Sequence, residues 1–305
     1  MFNTLFLLRL LIKNNIIDIG DNVLENMNKM LDKAKKEGYA VPQLNINNLE
    51  WTKYILEVCQ EKHSPIILGV SEGAAKYMGG YNVVVMMVKG LIKDLKITIP
   101  VALHLDHGSS FEACKKAIDS GFTSVMIDAS RFSLEENIQI TKRVVKYAKR
   151  KKVSVEAEVG HIGGTEDEIS SDIGYAKVED CISLFKSTKI NFLAPALGSV
   201  HGLYKGEPKI DFDKMKQINE SLNIPLVLHG GTGLPDKIIK KAIKCGICKI
   251  NINTELQIEW AKGVREKLTE DNKVYDPRKV ISSGENNMKK AIIAKIKLLG
   301  SLNKA

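Results

Sequence analysis

Three histidines set the first chemical question. His107 stands in "VALHLDHGSS", His201 in "GSVHGLYKGEP" and His229 in "PLVLHGGTGLP", three well-separated segments. A neutral imidazole is a metal ligand, and three of them with an open fourth position form the donor set of a catalytic rather than a structural zinc. A lone histidine more commonly hydrogen-bonds within a core. Here three of only six histidines in the chain follow apolar runs in the same way, which that bland explanation does not cover. Asp106 adjoins His107 and offers either a further ligand or a general acid/base beside the metal. Asp128 and Glu158 close two other apolar runs. They suit a second cation, divalent or monovalent, or hydrogen bonds to the histidines, because a buried carboxylate without a partner is costly. His104, two residues before Asp106, either orients its neighbours or simply fills the core. His63 is read as a surface residue.

Glycine-rich loops next to these residues offer anion sites. Gly202 and Lys205 lie in "HGLYKGEP" (201–208), and Gly230, Gly231 and Thr232 in "HGGTGLP" (229–235). Asn251, Asn253 and Thr254 lie in "NINTE" (251–255), with Thr254 expected as a helix N-cap. Backbone N–H groups at such turns cradle phosphate. Ser71, at the end of the run "SPIILGV", is another polar group so placed. The stretch "GHIGGTEDEISSD" (160–172) is glycine-rich and acidic, and reads as a mobile loop that carries Glu166, Asp167 and Glu168 over the site.

All these groups need one scaffold. Apolar, strand-like runs occupy 40–46, 64–70, 100–105, 123–128, 153–158, 190–197, 225–229 and 248–252, with amphipathic helical patterns between them. Near-continuous apolar strands alternating with helices imply a parallel sheet buried on both faces. Eight such units predict an α/β protein built as a single (β/α)8 TIM barrel over 23–305, with its chemistry at the C-terminal ends of the strands. An open doubly wound sheet would carry a glycine-rich turn after its first strand, whereas "QLNINNLEW" follows here. In this reading the third strand ends at 105 and Gly108 makes the turn beyond it.

Composition narrows the function classes. With 305 residues, 44% of them hydrophobic, the chain can bury a large core without staples, so its five cysteines read as reduced thiols of a cytoplasmic protein. The pair Cys245 and Cys248 runs into a buried strand and lacks a second pair, which argues against a metal or redox motif. The net charge of +9 raises the question of a nucleic acid or membrane. However, the densest basic stretch, "KRVVKYAKRKK" (142–152), has apolar residues at helical spacing and no interleaved aromatics, as a solvated helix face does. Neither nucleic acid nor membrane is expected as a partner. Residues 1–22 are apolar, too short to span a bilayer and without a signal-peptide pattern, and form an N-terminal extension of unknown role.

The motifs "ALHLDHG", "EAEVGHIGGTEDE", "APALGSVHGLYKGEP", "VLHGGTGLP" and "KININTE", in this order and spacing, resemble class II fructose-1,6-bisphosphate aldolase, in its shorter bacterial form. The resemblance runs from about residue 27 to the C-terminus. It implies a metal-dependent lyase that cleaves fructose 1,6-bisphosphate reversibly to dihydroxyacetone phosphate and glyceraldehyde 3-phosphate. It implies His107, His201 and His229 as ligands of a catalytic Zn2+, and Asp128 and Glu158 as ligands of a second or displaced cation. Asp106 is implied as the acid/base at the C4 hydroxyl, and Glu166 as the base that exchanges the proton on the dihydroxyacetone-phosphate carbon. Gly202, Lys205, Gly230, Gly231, Thr232, Asn251, Asn253 and Thr254 match the region around that fragment and its phosphate. Ser71 matches a contact to the other phosphate, which Arg278 in "YDPRK" is expected to reach from a neighbouring subunit of a homodimer or homotetramer.

Some positions depart from the pattern. Pro42 stands where a small residue or glycine is usual, "ASRFSLEEN" (129–137) replaces a histidine-rich stretch, and Thr165 replaces the first acidic position of the loop. The nearest rival is a tagatose-1,6-bisphosphate aldolase of the same fold and metal, against which Asn253 is the main sign. A barrel metallohydrolase would show H-x-H on its first strand, and a catalytically dead barrel would not keep every ligand and acid/base position filled.

Overall fold

The structure, a computed structural model, describes residues 23–166, 169–171, 174–204 and 206–305. Eight parallel strands close into a barrel: β1 (Val41–Asn45), β2 (Ile66–Val70), β3 (Val101–Gly108), β4 (Ser124–Ile127), β5 (Ser154–Val159), β8 (Phe192–Pro195), β10 (Leu226–Leu228) and β11 (Ile247–Ile252). Each matches one apolar run of the sequence to within a few residues. The 1–22 extension lies outside the described residues.

Helices wrap the barrel, and their ends follow local chemistry. Helix α1 (Asn28–Glu37) precedes β1, and α2 (Leu49–Glu61) starts where Asn48 accepts a hydrogen bond from the Trp51 amide. After β2 come α3 (Glu72–Tyr77), capped by Ser71, and α4 (Tyr81–Asp94). Ser110 caps α5 (Phe111–Ser120), and a capping box of Ser133 and Glu136 opens α6 (Leu134–Arg150). Then follow α7 (Val178–Thr188), α8 (Phe212–Leu222), α9 (Asp236–Lys244), α10 (Thr254–Glu270), α11 (Pro277–Ser282) and α12 (Glu285–Leu299). Thr254 is not the N-cap of α10 but its first residue. Asn253 holds the cap position without a side-chain cap bond, and the Glu255 amide instead donates to Thr232 Oγ1 at 3.4 Å. The orphan donor of the helix is thus satisfied from a different loop, which spacing along one segment does not reveal.

The lumen is stratified. At its floor Val41, Ile67, Ala102, Phe192 and Val227 pack with Met27, Met30, Leu31 and Ala34 as α1 closes the N-terminal end. Above them the lumen-facing positions turn polar: Gln43 and Asn45 on β1, His104 and Asp106 on β3, Glu156 on β5, and Lys249 and Asn251 on β11, all buried. An apolar floor anchors the barrel, and the polar layers open toward the C-terminal rim.

The stretch read as a mobile loop contains strands. β6 (Gly163–Glu166) pairs antiparallel with β7 (Ile169–Ser171) and parallel with β9 (Val200–His201), in a small three-stranded sheet outside the barrel. Its glycines and lack of apolar alternation hid it, since such a short sheet carries almost no periodic signal.

Candidate metal centre and active site

β3 does not stop at 105. It pairs with β4 as Leu105↔Val125 and then as Gly108↔Ile127, so three steps on β3 match two on β4. That is a β-bulge, and His107 within it has φ 49°, in the left-handed region. Adjacent residues of a regular strand face opposite sides. The bulge re-aims His107, so that Asp106 and His107 both reach the rim. Gly108 is fixed by close approach, because a Cβ there would lie 2.7 Å from the Met126 carbonyl oxygen.

The three histidines converge. Ring centroids of His107 and His229 lie 4.6 Å apart, His107 and His201 5.0 Å, and His201 and His229 5.8 Å. One ring nitrogen from each lies within 4.8 Å of the other two. His229 directly follows β10, while His201 ends β9. The Tyr204 hydroxyl links their loops, accepting from the Val200 amide at 3.2 Å and donating to the Gly230 carbonyl at 2.9 Å.

Hydrogen-bond partners fix which nitrogens face inward. His107 Nδ1 lies 2.9 Å from Asp128 Oδ2, and His229 Nε2 lies 2.9 Å from Glu156 Oε1. A carboxylate only accepts, so these nitrogens carry the protons. The other two, His107 Nε2 and His229 Nδ1, face each other at 2.8 Å as acceptors. Asn251 Nδ2, a donor, also approaches His229 Nδ1 at 3.3 Å, in agreement with that tautomer. Two lone pairs aimed at one point, with carboxylates behind both rings, suit a shared cation. Burial, together with the neighbouring His107 ring, lowers His201 to about 3 and holds His229 well below the ordinary histidine value. Both rings therefore stay neutral, as ligation requires.

A second donor set lies alongside. Ligand atoms of His107, Asp128 and Glu158 fall within 4.8 Å of one another. Burial, reinforced by the Asp128 charge, pushes the Glu158 carboxyl well above its usual range. Burial works the same way on Asp128, but hydrogen bonds from His107 and Ser130 hold it well below that range. Glu158 Oε1 accepts from the Ile162 amide at 3.3 Å, and Oε2 is buried without a partner. A cation between the two carboxylates would relieve their repulsion.

Asp106 occupies the centre of the rim. Gln43 and Asn45 donate to its Oδ2 at 2.8 and 3.0 Å, and Asn251 to its Oδ1 at 3.2 Å. Burial would raise this carboxyl, but the adjacent His107 and His229 rings, the Lys249 ammonium and the Asn45 amide hold it below its ordinary value. An ionised carboxylate gripped by three neutral amides is an oriented proton acceptor.

Other residues singled out in the sequence are distributed as follows. Ser71 is buried at the end of β2, its hydroxyl accepting from the Ala74 amide at 3.1 Å. Thr232 and Asn253 line the start of α10, and the Asn253 Oδ1 atom is buried without a partner. The loop at Gly230 and Gly231 is tight. A Cβ on Gly230 would strike the Val200 carbonyl, and the Gly231 amide donates to the Asn251 carbonyl at 3.0 Å. Gly202 has φ 85°. Glu166 ends β6, whose Gly164 pairs with His201. Lys205 lies outside the described residues. Arg278 is not brought to this rim: its side chain is 89% exposed on α11 and bonded to Asp276 at 2.8 Å. Missed by the sequence reading were Gln43, Ser130, Glu156, Tyr204 and Lys249. Three of them share a signal, since Gln43, Glu156 and Lys249 each stand two residues before a strand-end polar residue, on the same side of the strand.

The family model for class II fructose-bisphosphate aldolase matches residues 25–304. A fructose-bisphosphate aldolase of Geobacillus stearothermophilus is 57% identical over 283 residues, covering 92% of this chain and 99% of that protein. One from Staphylococcus aureus is 58% identical over the same shares. Among solved structures, the YdjI aldolase of Escherichia coli K12 superimposes with a TM-score of 0.79 at 30% identity, over 92% of this chain and 99% of the other. The chain belongs to the class II fructose-bisphosphate aldolase family.

Proposed function

We propose that this protein cleaves fructose 1,6-bisphosphate reversibly to dihydroxyacetone phosphate and glyceraldehyde 3-phosphate, at a zinc centre held by His107, His201 and His229. The pair of imidazole lone pairs facing each other at 2.8 Å, each backed by a carboxylate, carries this reading. Zinc bound there supplies Lewis-acid stabilisation of the charge that develops on the ketose carbonyl oxygen. The protein's own groups do the rest. Asp106, fixed as an acceptor, takes the proton of the C4 hydroxyl. The C3–C4 bond breaks, its electron pair stays with the dihydroxyacetone-phosphate fragment, and the C4 oxygen becomes the aldehyde oxygen of glyceraldehyde 3-phosphate. Glu166 returns a proton to C3 of the remaining fragment. Backbone amides at Gly202, Gly230, Gly231 and Thr232, with Asn251, Asn253, Thr254 and Lys205, hold that fragment and its phosphate. Ser71 contacts the other phosphate, and Arg278 reaches it from a neighbouring subunit of a homodimer or homotetramer. Asp128 and Glu158 hold a second divalent or monovalent cation. We place the protein in the cytoplasm as a glycolytic and gluconeogenic enzyme. No helix among the described residues is long and apolar enough to cross a membrane.

A coupled cleavage assay tests this reading. Chelation should abolish activity and added zinc restore it, whereas chelator-resistant cleavage would overturn the metal centre. Fructose 1,6-bisphosphate should turn over faster than tagatose 1,6-bisphosphate, and the reverse order would overturn the substrate assignment.

A further inference from the structure

Below the rim, the lumen holds a buried ionic pair that no step above uses. Lys249 Nζ on β11 lies 2.7 Å from Glu156 Oε2 on β5, and both side chains are fully buried. The strands are not neighbours, because β8 and β10 stand between them. The pair therefore crosses the lumen. The same carboxylate receives His229 Nε2 on its other oxygen at 2.9 Å. His104 packs against it as well, with its Nε2 3.7 Å from Oε2 and its Nδ1 2.9 Å from Ser124 Oγ. Ser124 in turn donates to the Ser154 carbonyl at 3.3 Å, so the cluster is tied into β3, β4 and β5 at once.

Such a pair needs a reason. Desolvating two charges costs about as much as their attraction returns, and apolar replacements of buried pairs are often neutral or stabilising. The floor of this barrel shows that an apolar layer fits the same lumen. What the pair does, and an apolar layer cannot, is orient one carboxylate. With Oε2 gripped by Lys249, Oε1 faces His229, and His229 must carry its proton on Nε2. Only then does Nδ1 present a lone pair toward His107 Nε2.

We propose that Lys249 is a positioning residue for the metal centre. Acting through Glu156, it fixes the tautomer and ring orientation of His229 so that Nδ1 is the ligating atom. Lys249 touches neither the ligand atoms nor the substrate. The inference deepens the zinc-centre reading and rests on it for the identity of the ion.

The test is a double-mutant cycle read as zinc affinity, measured on the metal-free full chain by competition with a chromophoric chelator. Lys249→Met should weaken zinc binding roughly 10–100-fold, the range typical of lost partners behind ligating histidines. In a Glu156→Gln background the amide oxygen still accepts from His229 without needing the ammonium, so adding Lys249→Met should change affinity less than about threefold. Affinity unchanged by Lys249→Met, or equal losses in both backgrounds, would overturn the proposal. Should Lys249→Met alone fail to fold, the uncharged double variant and 15N NMR of the metal-free wild type decide. His229 is expected as the Nε2–H tautomer, and finding Nδ1–H overturns the assignment. If instead His229→Ala leaves zinc affinity intact, the zinc-centre reading fails, while the NMR result still judges the Lys249–Glu156–His229 arrangement by itself.

Discussion

Asp106 shows how much of this chemistry is preparation. Its two oxygens accept three amide hydrogen bonds, from Gln43, Asn45 and Asn251, before any substrate arrives. Asp106→Asn keeps the size but removes the proton acceptor. It should lower kcat by about 10²–10⁴-fold while leaving zinc affinity within a few-fold, measured by steady-state cleavage and chelator competition. A loss of zinc affinity as large as the loss of kcat would instead make Asp106 a ligand. Gln43 is held in turn by space on the next strand. A Cβ on Gly69 would meet Gln43 Nε2 at 2.5 Å, so Gly69→Ala must push the amide off Asp106. Because a displacement on the order of 1 Å near the chemistry can cost about 100-fold, we expect a fall in kcat of about 10–100-fold with the fold intact. Wild-type kcat in that variant would show that the Gln43 contact is dispensable. Strand-end residues such as Asp106, His107 and His229 were legible because each terminates an apolar run. Gln43, Glu156 and Lys249 were equally visible as letters, but their partners lie across the lumen, and one strand read by itself does not name them.

At the scale of elements, the bulge in β3 decides whether the site exists. Alternation along "HLDHG" places His104 and Asp106 on one side and His107 on the other, and only the two-against-three register with β4 brings Asp106 and His107 to the same rim. Gly108 makes that register possible. In Gly108→Ala the new Cβ faces a backbone carbonyl of β4, which cannot swing aside as a side chain can. The variant should lose about 1–3 kcal/mol of stability to chemical denaturation and bind zinc more weakly, because β3 and β4 must separate where His107 and Asp128 meet. Unchanged zinc affinity would show that the bulge tolerates the strain. The eight strands were legible, since burial on both faces writes continuous apolar runs, whereas the one helix start named, Thr254, falls one residue past the cap. The bulge, the Thr232 bond to α10 and the β6–β7–β9 sheet were not. The bulge rests on pairing with a strand some way along the chain, the Thr232 bond on a side chain from another loop, and the sheet is too short and glycine-rich to leave a period.

Across the whole molecule, an apolar floor supports a layer of buried ionisable groups, and that layer ties stability to pH and metal together. Burial, first among the causes, holds His104, His201 and His229 below the ordinary histidine value, His201 at about 3. These rings remain neutral in the folded chain but take up protons near pH 6.5 once it unfolds. The unfolded state therefore binds more protons, and stability falls as pH drops through 6.5 toward the depressed values, by up to about 1.4 kcal/mol per pH unit for each ring. Glu158 opposes this. Its raised carboxyl holds a proton when folded that the unfolded chain releases above about 4.5, so it favours the folded state as pH falls. Three rings outweigh one carboxyl. The melting temperature of the metal-free protein should therefore drop by several degrees between pH 7.5 and 5.5. At the proposed centre zinc needs folded, neutral histidines, so it should raise the melting temperature at pH 7.5 in proportion to the logarithm of its concentration over Kd. That increment should shrink at pH 5.5, where protons compete for the same nitrogens. Scanning calorimetry with and without zinc at both pH values decides the matter. A metal-free melting temperature that holds or rises on acidification would mean that the buried histidines are not held neutral, and a zinc increment equal at both pH values would mean that the metal is bound elsewhere.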